Sequence, residues 1–349
     1  MTLWTELISP AELTGFARAA QEEYERSQGT LARWLPNTAV ADVVVRTIVG
    51  SDGSGELAQY RSFDAETPIG SGGKGERKTF DLIPLGLKER VSEYDQLRAR
   101  GSDGAALILG GVEKATVRVV RAIVNRLELA RGEAIEDGQL AIDENGVTQT
   151  VNFGRVSGDS EDSAGTMWSV TNSATPIADL IGWCDDYAAL NNGAAPGSIV
   201  VSRRVLAALQ RVEEIRSLVA TVAGTPSIVS VDILNATLSA YGIPPLVVYD
   251  RKVGGVSVLS NHKVYLLPEP VDPNSGSNIL GATFHGPTLE ASEPDYGIGV
   301  SEQPGIAVGT WKTKDPIAAW VHSNAVAMPI LVNPVASFVA TVLADEDGS

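Results

Sequence analysis

From Ser9 the chain reads SPAELTGFARAAQEEYERSQG. Leu13, Phe16, Ala20 and Tyr24 recur at helical spacing, while Glu22, Glu23 and Glu25 put acid on another face. Ser9 is placed to cap, Pro10 suits the first helical position and Glu12 completes a capping box. The pattern predicts an amphipathic arm that stops near Ser27-Gln28-Gly29 and needs something to lie against. The β-branched run ADVVVRTIV at 41–49 predicts a strand. From Gly50 to about Pro84 the chain is polar and punctuated by Gly and Pro. Within it AQYRSFDAE and RKTFDLI read as two strands, with Pro68 to Gly75 between them. A hairpin of this kind has few apolar residues per face and is not stable in isolation. It is expected to project and to pack on another chain.

The strongest helical pattern covers 105–131, where Leu109, Val112, Thr116, Val119, Ile123, Leu127 and Ala130 step by three and four. Lys114, Arg118, Arg121 and Arg126 or Arg131 decorate the remaining faces, and Gly132 is the expected stop. Such a helix is about 40 Å long. QLAIDENGVTQTVNF follows as a hairpin turning at Asn145-Gly146, then a polar loop from Gly154 to Gly165. Beyond Thr175 helices and strands alternate. One helix starts at Thr175-Pro176, with Ile177, Leu180, Ile181, Cys184 and Tyr187 along one side, and ends at Asn191-Asn192-Gly193. SIVVS is a strand, Ser202 caps RRVLAALQRV and Ser230 caps VDILNATLSAY. LVVYD, GVSVL and KVYLL are further strands. After about Gly297 the chain returns to β structure in GIAVGTW, PIAAWVHSNAV and SFVATVLA, before the acidic tail DEDGS.

Composition adds limits. The 349 residues are 44% hydrophobic and 20% charged, ordinary for a globular chain, and long enough for a large core in two subdomains. Forty-three acidic residues against 27 basic give a net charge of -16, which repels nucleic acid except at local patches. Cys184 is the single cysteine, so no internal disulfide forms. The first residues lack a basic n-region and a small-residue cleavage site, so export by a signal peptide is not expected. The longest apolar stretch, 317–344, is interrupted by His322, Asn324, Pro329, Asn333 and Pro334 and is too broken for a membrane span.

The stretch GSGGKGERK at 70–78 is the one place that resembles a phosphate cradle, with Gly70, Gly72 and Gly75 in a G-x-G-x-x-G pattern. A Walker loop needs glycine where Pro68 stands and Ser or Thr where Gly75 stands. A dinucleotide fold needs a helix next, so that pyrophosphate sits on its N-terminus. ERKTFDLIP alternates like a strand instead, and Glu93 or Asp95 at the ribose-binding distance adds little. The glycines therefore read as a loop tip. His262, His285 and His322 are widely separated, no serine stands in G-x-S-x-G, and Cys184 reads as an inert thiol. Asp159–Asp162 and Asp345–Asp347 lack the pattern of a calcium-binding hand. No catalytic, cofactor or metal constellation is expected. Lys114, Arg118 and Arg121 read first as a solvated face paired with neighbouring acids, and alternatively as a weak electrostatic face toward packaged nucleic acid or an acidic partner.

The order of elements is an amphipathic arm, a projecting hairpin, one very long helix with a β-hairpin, a mixed α/β region and a β return. This resembles the major capsid proteins of tailed bacteriophages, within them the lambda-like major capsid proteins, with an α+β fold of the Hong Kong 97 type. DLIPLGLKERVSEYDQL, RLELARGEAIEDGQLAIDENGVTQTVNFGR and PGIAVGTWKTKDPIAAWVHSNAVAMPILVNPVASFVATVLA carry the likeness, which runs from about residue 38.

The resemblance implies that 1–37 is an N-terminal arm, 38–86 an extended loop, 87–172 with 297–349 a peripheral domain spined by the long helix, and 173–296 an axial domain. It implies a structural protein that assembles through pentamers and hexamers into an icosahedral shell around double-stranded DNA, with no enzymatic role and no cofactor. Lys74, Arg77 and Lys78 at the loop tip would then pair with acids of an adjacent subunit, and Lys114, Arg118 and Arg121 would face the interior or a partner. A separate scaffolding protein, a portal and a decoration protein are the implied partners, with weak contact to packaged DNA and none to membrane. No match identifies an asparagine for an isopeptide weld. The virion capsid is the implied location, after synthesis and assembly in the host bacterial cytoplasm. Two rivals remain: a cellular nanocompartment shell of the same fold, and an α/β enzyme built on 173–296.

Overall fold

The computed structural model describes residues 3, 8–49, 76–91, 104–155, 158, 160–220, 224–315 and 317–345. The chain divides into two compact units. One comprises Met1–Arg46, Thr79–Arg131 and Val271–Ile330, and the other Thr47–Lys78, Gly132–Pro270 and Leu331–Ser349.

In the first unit α1 spans Pro10–Ser27. The capping box forms as the sequence predicts: Ser9 Oγ accepts from the Glu12 amide at 3.2 Å, and Glu12 Oε2 accepts from the Ser9 amide at 3.3 Å. The helix ends at the expected place, with Gly29 at φ 56°. Its buried face differs from the predicted stripe. Leu13, Thr14, Ala17, Gln21 and Glu25 are buried, whereas Phe16 is 40% exposed. Hydrophobicity alone misplaced this face, because its last two turns bury Gln21 and Glu25, and Glu25 finds a cation inside.

Strand β1 (Asn37–Ala39) pairs in parallel with Thr283–His285, and β2 (Val44–Val49) pairs with β3 (Glu76–Asp81) in a two-stranded sheet. The predicted strand at 58–66 and the glycine tip lie outside the described residues. β4 (Pro84–Val91) leads toward α2, Gly104–Asp137, which is 34 residues long. In the first unit α2 presents Val112, Val119, Ile123 and Leu127 to a core completed by Leu13, Ala17, Val308, Val321 and Ala325.

The second unit holds the last turns of α2, and here Gly132 does not stop the helix. A Cβ at that position would meet the Val258 carbonyl oxygen at 2.1 Å. The glycine is there so that α2 can pass close to that backbone. The helix ends instead at Gly138, φ 65°, whose amide donates to Ala134 at 3.0 Å. β5 (Gln139–Glu144) and β6 (Val147–Asn152) form the expected hairpin, with Asn145 and Gly146 both at positive φ. The stretch predicted as a polar loop contains β7 (Glu161–Ser163), since one strand edge supplies the pairing its polar residues cannot signal.

The helix α3 is Pro176–Leu190, and its buried side carries Ile177, Leu180, Trp183 and Tyr187 rather than Ile181 and Cys184. Trp183 stacks on Trp168 with centroids 5.9 Å apart. The indole N–H of Trp183 donates to Asp162 at 2.7 Å and that of Trp168 to Asp179 at 2.9 Å, so the two rings end at carboxylates that are not buried. β8 (Ser198–Val201) is buried at all four positions. The predicted helix from Arg203 stops at Leu209 as α4 and resumes as α5 (Glu213–Leu218); α6 is Val231–Ala240. Ser202 caps α4, its Oγ accepting from Val205, while the Ser230 side chain makes no cap bond to α6.

Strands β9 (Leu246–Val248), β10 (Lys252–Val253), β11 (Val256–Ser257) and β12 (Lys263–Leu267) follow. After β13 (Gly281–Gly286), the four-residue α7 (Leu289–Ser292), β14 (Ala307–Lys314) and β15 (Ile317–Leu331), β16 (Phe338–Thr341) ends the order. Two sheets organise the units. β1-β13-β15-β14, with β4 also on β15, belongs chiefly to the first, and β7-β16-β12-β8-β9 to the second.

Candidate inter-subunit surfaces

The helix α1 and the segment up to Asn37 are held by a buried polar cluster inside the first unit. Arg131, Glu25 and Glu128 are each 0% exposed. The Arg131 guanidinium donates to Glu25 at 3.0 Å and Glu128 at 3.3 Å, to Thr283 Oγ1 at 2.9 Å and to Asn37 Oδ1 at 2.8 Å. Glu128 also accepts from the Leu31 amide at 2.8 Å, and Thr283 donates to the Leu35 carbonyl at 2.9 Å. Burial works to discharge Arg131, but the two carboxylates outweigh it and raise its pKa. Asn37 donates to Glu25 at 2.5 Å, so its Oδ1 faces Arg131 and His285. The contact at 3.0 Å therefore requires the proton on His285 Nε2. Burial, then Arg131 and Arg18, push the His285 pKa down to about 3, so it stays neutral.

Sequence reasoning placed Glu25 and Arg131 on exposed faces. Glu25 stands four, eight and twelve residues after Gln21, Ala17 and Leu13, and Arg131 four after Leu127. That spacing was the available signal, outweighed by their charge.

The outer side of α1 stays open. Phe16, Ala20 and Tyr24 line a groove with Val117 and Arg121 of α2, and the Arg121 guanidinium sits 5.3 Å from the Tyr24 ring centroid. Lys114, Arg118 and Arg121 of α2 share one exposed face, while Arg131 is buried. Arg118 Nε donates to Glu89 at 2.7 Å and 3.0 Å. Arg77 is exposed on β3, Lys78 lies 3.5 Å from Glu76, and Lys74 is outside the described residues.

The outer rows of the β4–β15–β14 sheet form another surface, open over β4 and covered at Gly309 by Tyr296. Trp311 stacks on Trp320 with centroids 6.3 Å and planes 10° apart, His322 meets Trp311 edge-on at 5.6 Å, and Lys88 Nζ lies 5.8 Å from the Trp320 centroid.

In the second unit Glu136 accepts from Lys263 at 2.6 Å, Ser260 Oγ at 2.5 Å and Tyr265 at 2.8 Å. Burial raises its pKa, but these donors prevail and lower it. Cys184 is half-buried, and burial followed by Asp185 raises its thiol to about 11. The three histidines stay apart: His285 in the cluster, His322 on Trp311 and His262 3.7 Å from Asp345. Among the described residues no three metal-ligating side chains converge, and no helix is long and apolar enough to cross a membrane.

Comparison with known proteins agrees with this architecture. The family model described as phage major capsid protein E matches residues 22–342. No curated protein matches the chain in sequence. A putative capsid protein of an Escherichia coli CFT073 prophage is similar in structure, with TM-score 0.62 and 14% identity over 97% of this chain and 99% of that one. A phage-related protein of Bordetella bronchiseptica RB50 is similar with TM-score 0.60 and 15% identity, over 97% and 98%. The fold is thus the α+β capsid fold of the Hong Kong 97 type. By the family match over most of its length, this chain belongs to the phage major capsid protein E family and is a structural protein of the phage head shell.

Proposed function

We propose that the chain closes an icosahedral head through pentamers and hexamers around the double-stranded DNA of a tailed phage, and that it catalyses no reaction. The family match over 22–342 is the observation that carries this reading. Residues 38–86 act as the extended loop, 87–172 with 297–349 as the peripheral domain and 173–296 as the axial domain around the symmetry axes. Lys74, Arg77 and Lys78 pair with acids of an adjacent subunit. Lys114, Arg118 and Arg121 face the interior or a partner; the existing contacts of Arg118 with Glu89 and Arg121 with Tyr24 favour a weak electrostatic role over a grip on DNA. Assembly takes place in the host cytoplasm with a separate scaffolding protein, a portal and a decoration protein.

Each contact can be modest, because one subunit makes many and closure adds them. Deleting Pro68–Gly75 tests the loop role. Soluble, folded subunits that no longer close shells are expected; normal shells from the deletion would overturn it.

A further inference from the structure

The sheet of β4, β15 and β14 carries chemistry on its outer face that the core does not use, with Leu3 bridged to Trp311 at its β14 edge. Register sets Arg90, Trp320 and Trp311 side by side in one row, and Lys88, His322 and Gly309 in another. The row between them holds Val321 with Glu89 and Thr310, and the flanking rows hold Val91 with Ala319 and Val308 with Ser323; Val91, Ala319, Val321 and Val308 are members of the core. Successive side chains on a strand point to opposite faces, so the tryptophan rows turn away from that core. Lys88 and Arg90 are exposed, and the two indoles are half-buried. Rigid aromatic rings flanked by cations match the composition of protein–protein anchor sites.

We propose that this face is a contact between copies, in which a carboxylate-bearing surface of a second copy pairs with Lys88 and Arg90 and covers Trp311 and Trp320. Charge decides the occupant. With 43 acids to 27 bases, a second copy carries an excess of carboxylates, and a cationic face on such a subunit is where attraction is available. Contacts that are not two-fold join unlike patches, which suits a cationic patch meeting an acidic one. Packaged DNA is the weaker occupant, because the net charge of -16 opposes a polyanion and two cations neutralise few phosphates. The contact presupposes the shell described above.

Hydroxyl-radical footprinting of the full chain, in fast-sedimenting particles and in the slow-sedimenting subunit fraction, tests it. Oxidation of Trp311 and Trp320 is expected to fall several-fold in the particles. A double variant, Lys88→Glu with Arg90→Glu, is expected to melt like the parent yet lose most of its particle yield. Equal oxidation in both fractions, or normal particles from the double variant, overturns the contact while leaving the shell intact. Protection induced in subunits by duplex DNA overturns it in favour of nucleic acid. Absence of particles from the parent chain even with a co-expressed scaffolding protein overturns the shell and the contact together.

Discussion

Arg131 shows how much one side chain organises. It draws residues from the arm, the long helix and β13 onto a single guanidinium, where every charged partner is out of water. Removing it by Arg131→Met leaves Glu25 and Glu128 buried without their cation, a change that costs about 3–5 kcal/mol when a buried pair is broken. Urea unfolding of the subunit should show that loss, and a shift under about 1 kcal/mol would mean the cluster is solvated. His285 gives the same cluster a pH dependence. Its folded pKa of about 3 lies below the ordinary 6.5, so below pH 6.5 the unfolded chain binds a proton that the folded one refuses. Its contribution is complete above pH 6.5 and is lost as pH falls toward 3. At pH 5 the loss is up to about 2 kcal/mol, and His285→Gln should flatten that part of the urea midpoint against pH. The capping box was legible at this scale because three adjacent residues specify it. The cluster was not, because its members are separated in sequence and charged residues are normally exposed.

At the scale of elements the long helix is the clearest case. Its period was plain from Leu109 onward, but its end was misread at Gly132, since glycine usually marks a stop. The reason for glycine lies in the Val258 backbone, more than a hundred residues away, which no local pattern reveals. Gly132→Ala should therefore destabilise by about 1–3 kcal/mol through overpacking, although alanine is the better helix former. A gain in urea midpoint would contradict the close approach. In α3 Ile177, Leu180 and Tyr187 are buried as expected, but Trp183 is buried where Cys184 was expected, its indole N–H reaching Asp162 at the surface. The thiol raised to about 11 should react with iodoacetamide at pH 8 on the order of a hundredfold more slowly than a small-molecule thiol. Equal rates would place Cys184 in open water. β7 went unseen because its residues Glu161, Asp162 and Ser163 have no strand signature and pair only at an edge.

For the whole molecule the order of elements was more informative than any motif. The G-x-G-x-x-G stretch had the right letters and the wrong neighbours, and β3 follows it as a strand, not as the helix a phosphate needs. Fold class and family were legible because the long helix, the Asn145-Gly146 hairpin and the β return each have strong local signals in a fixed succession. Assembly surfaces were less so. The Trp311–Trp320 pair is distant in no obvious way in sequence, yet only strand register shows that both rings share the outer face. An acidic subunit with such a face, a first helix latched by buried charge and a family match from 22 to 342 fits a chain that acts in many copies. Electron microscopy of the purified protein after gradient sedimentation tests that most directly. The expected result is fast-sedimenting closed icosahedral shells with pentameric and hexameric capsomers, whereas a homogeneous small oligomer that forms no shells even with a co-expressed scaffolding protein would contradict it.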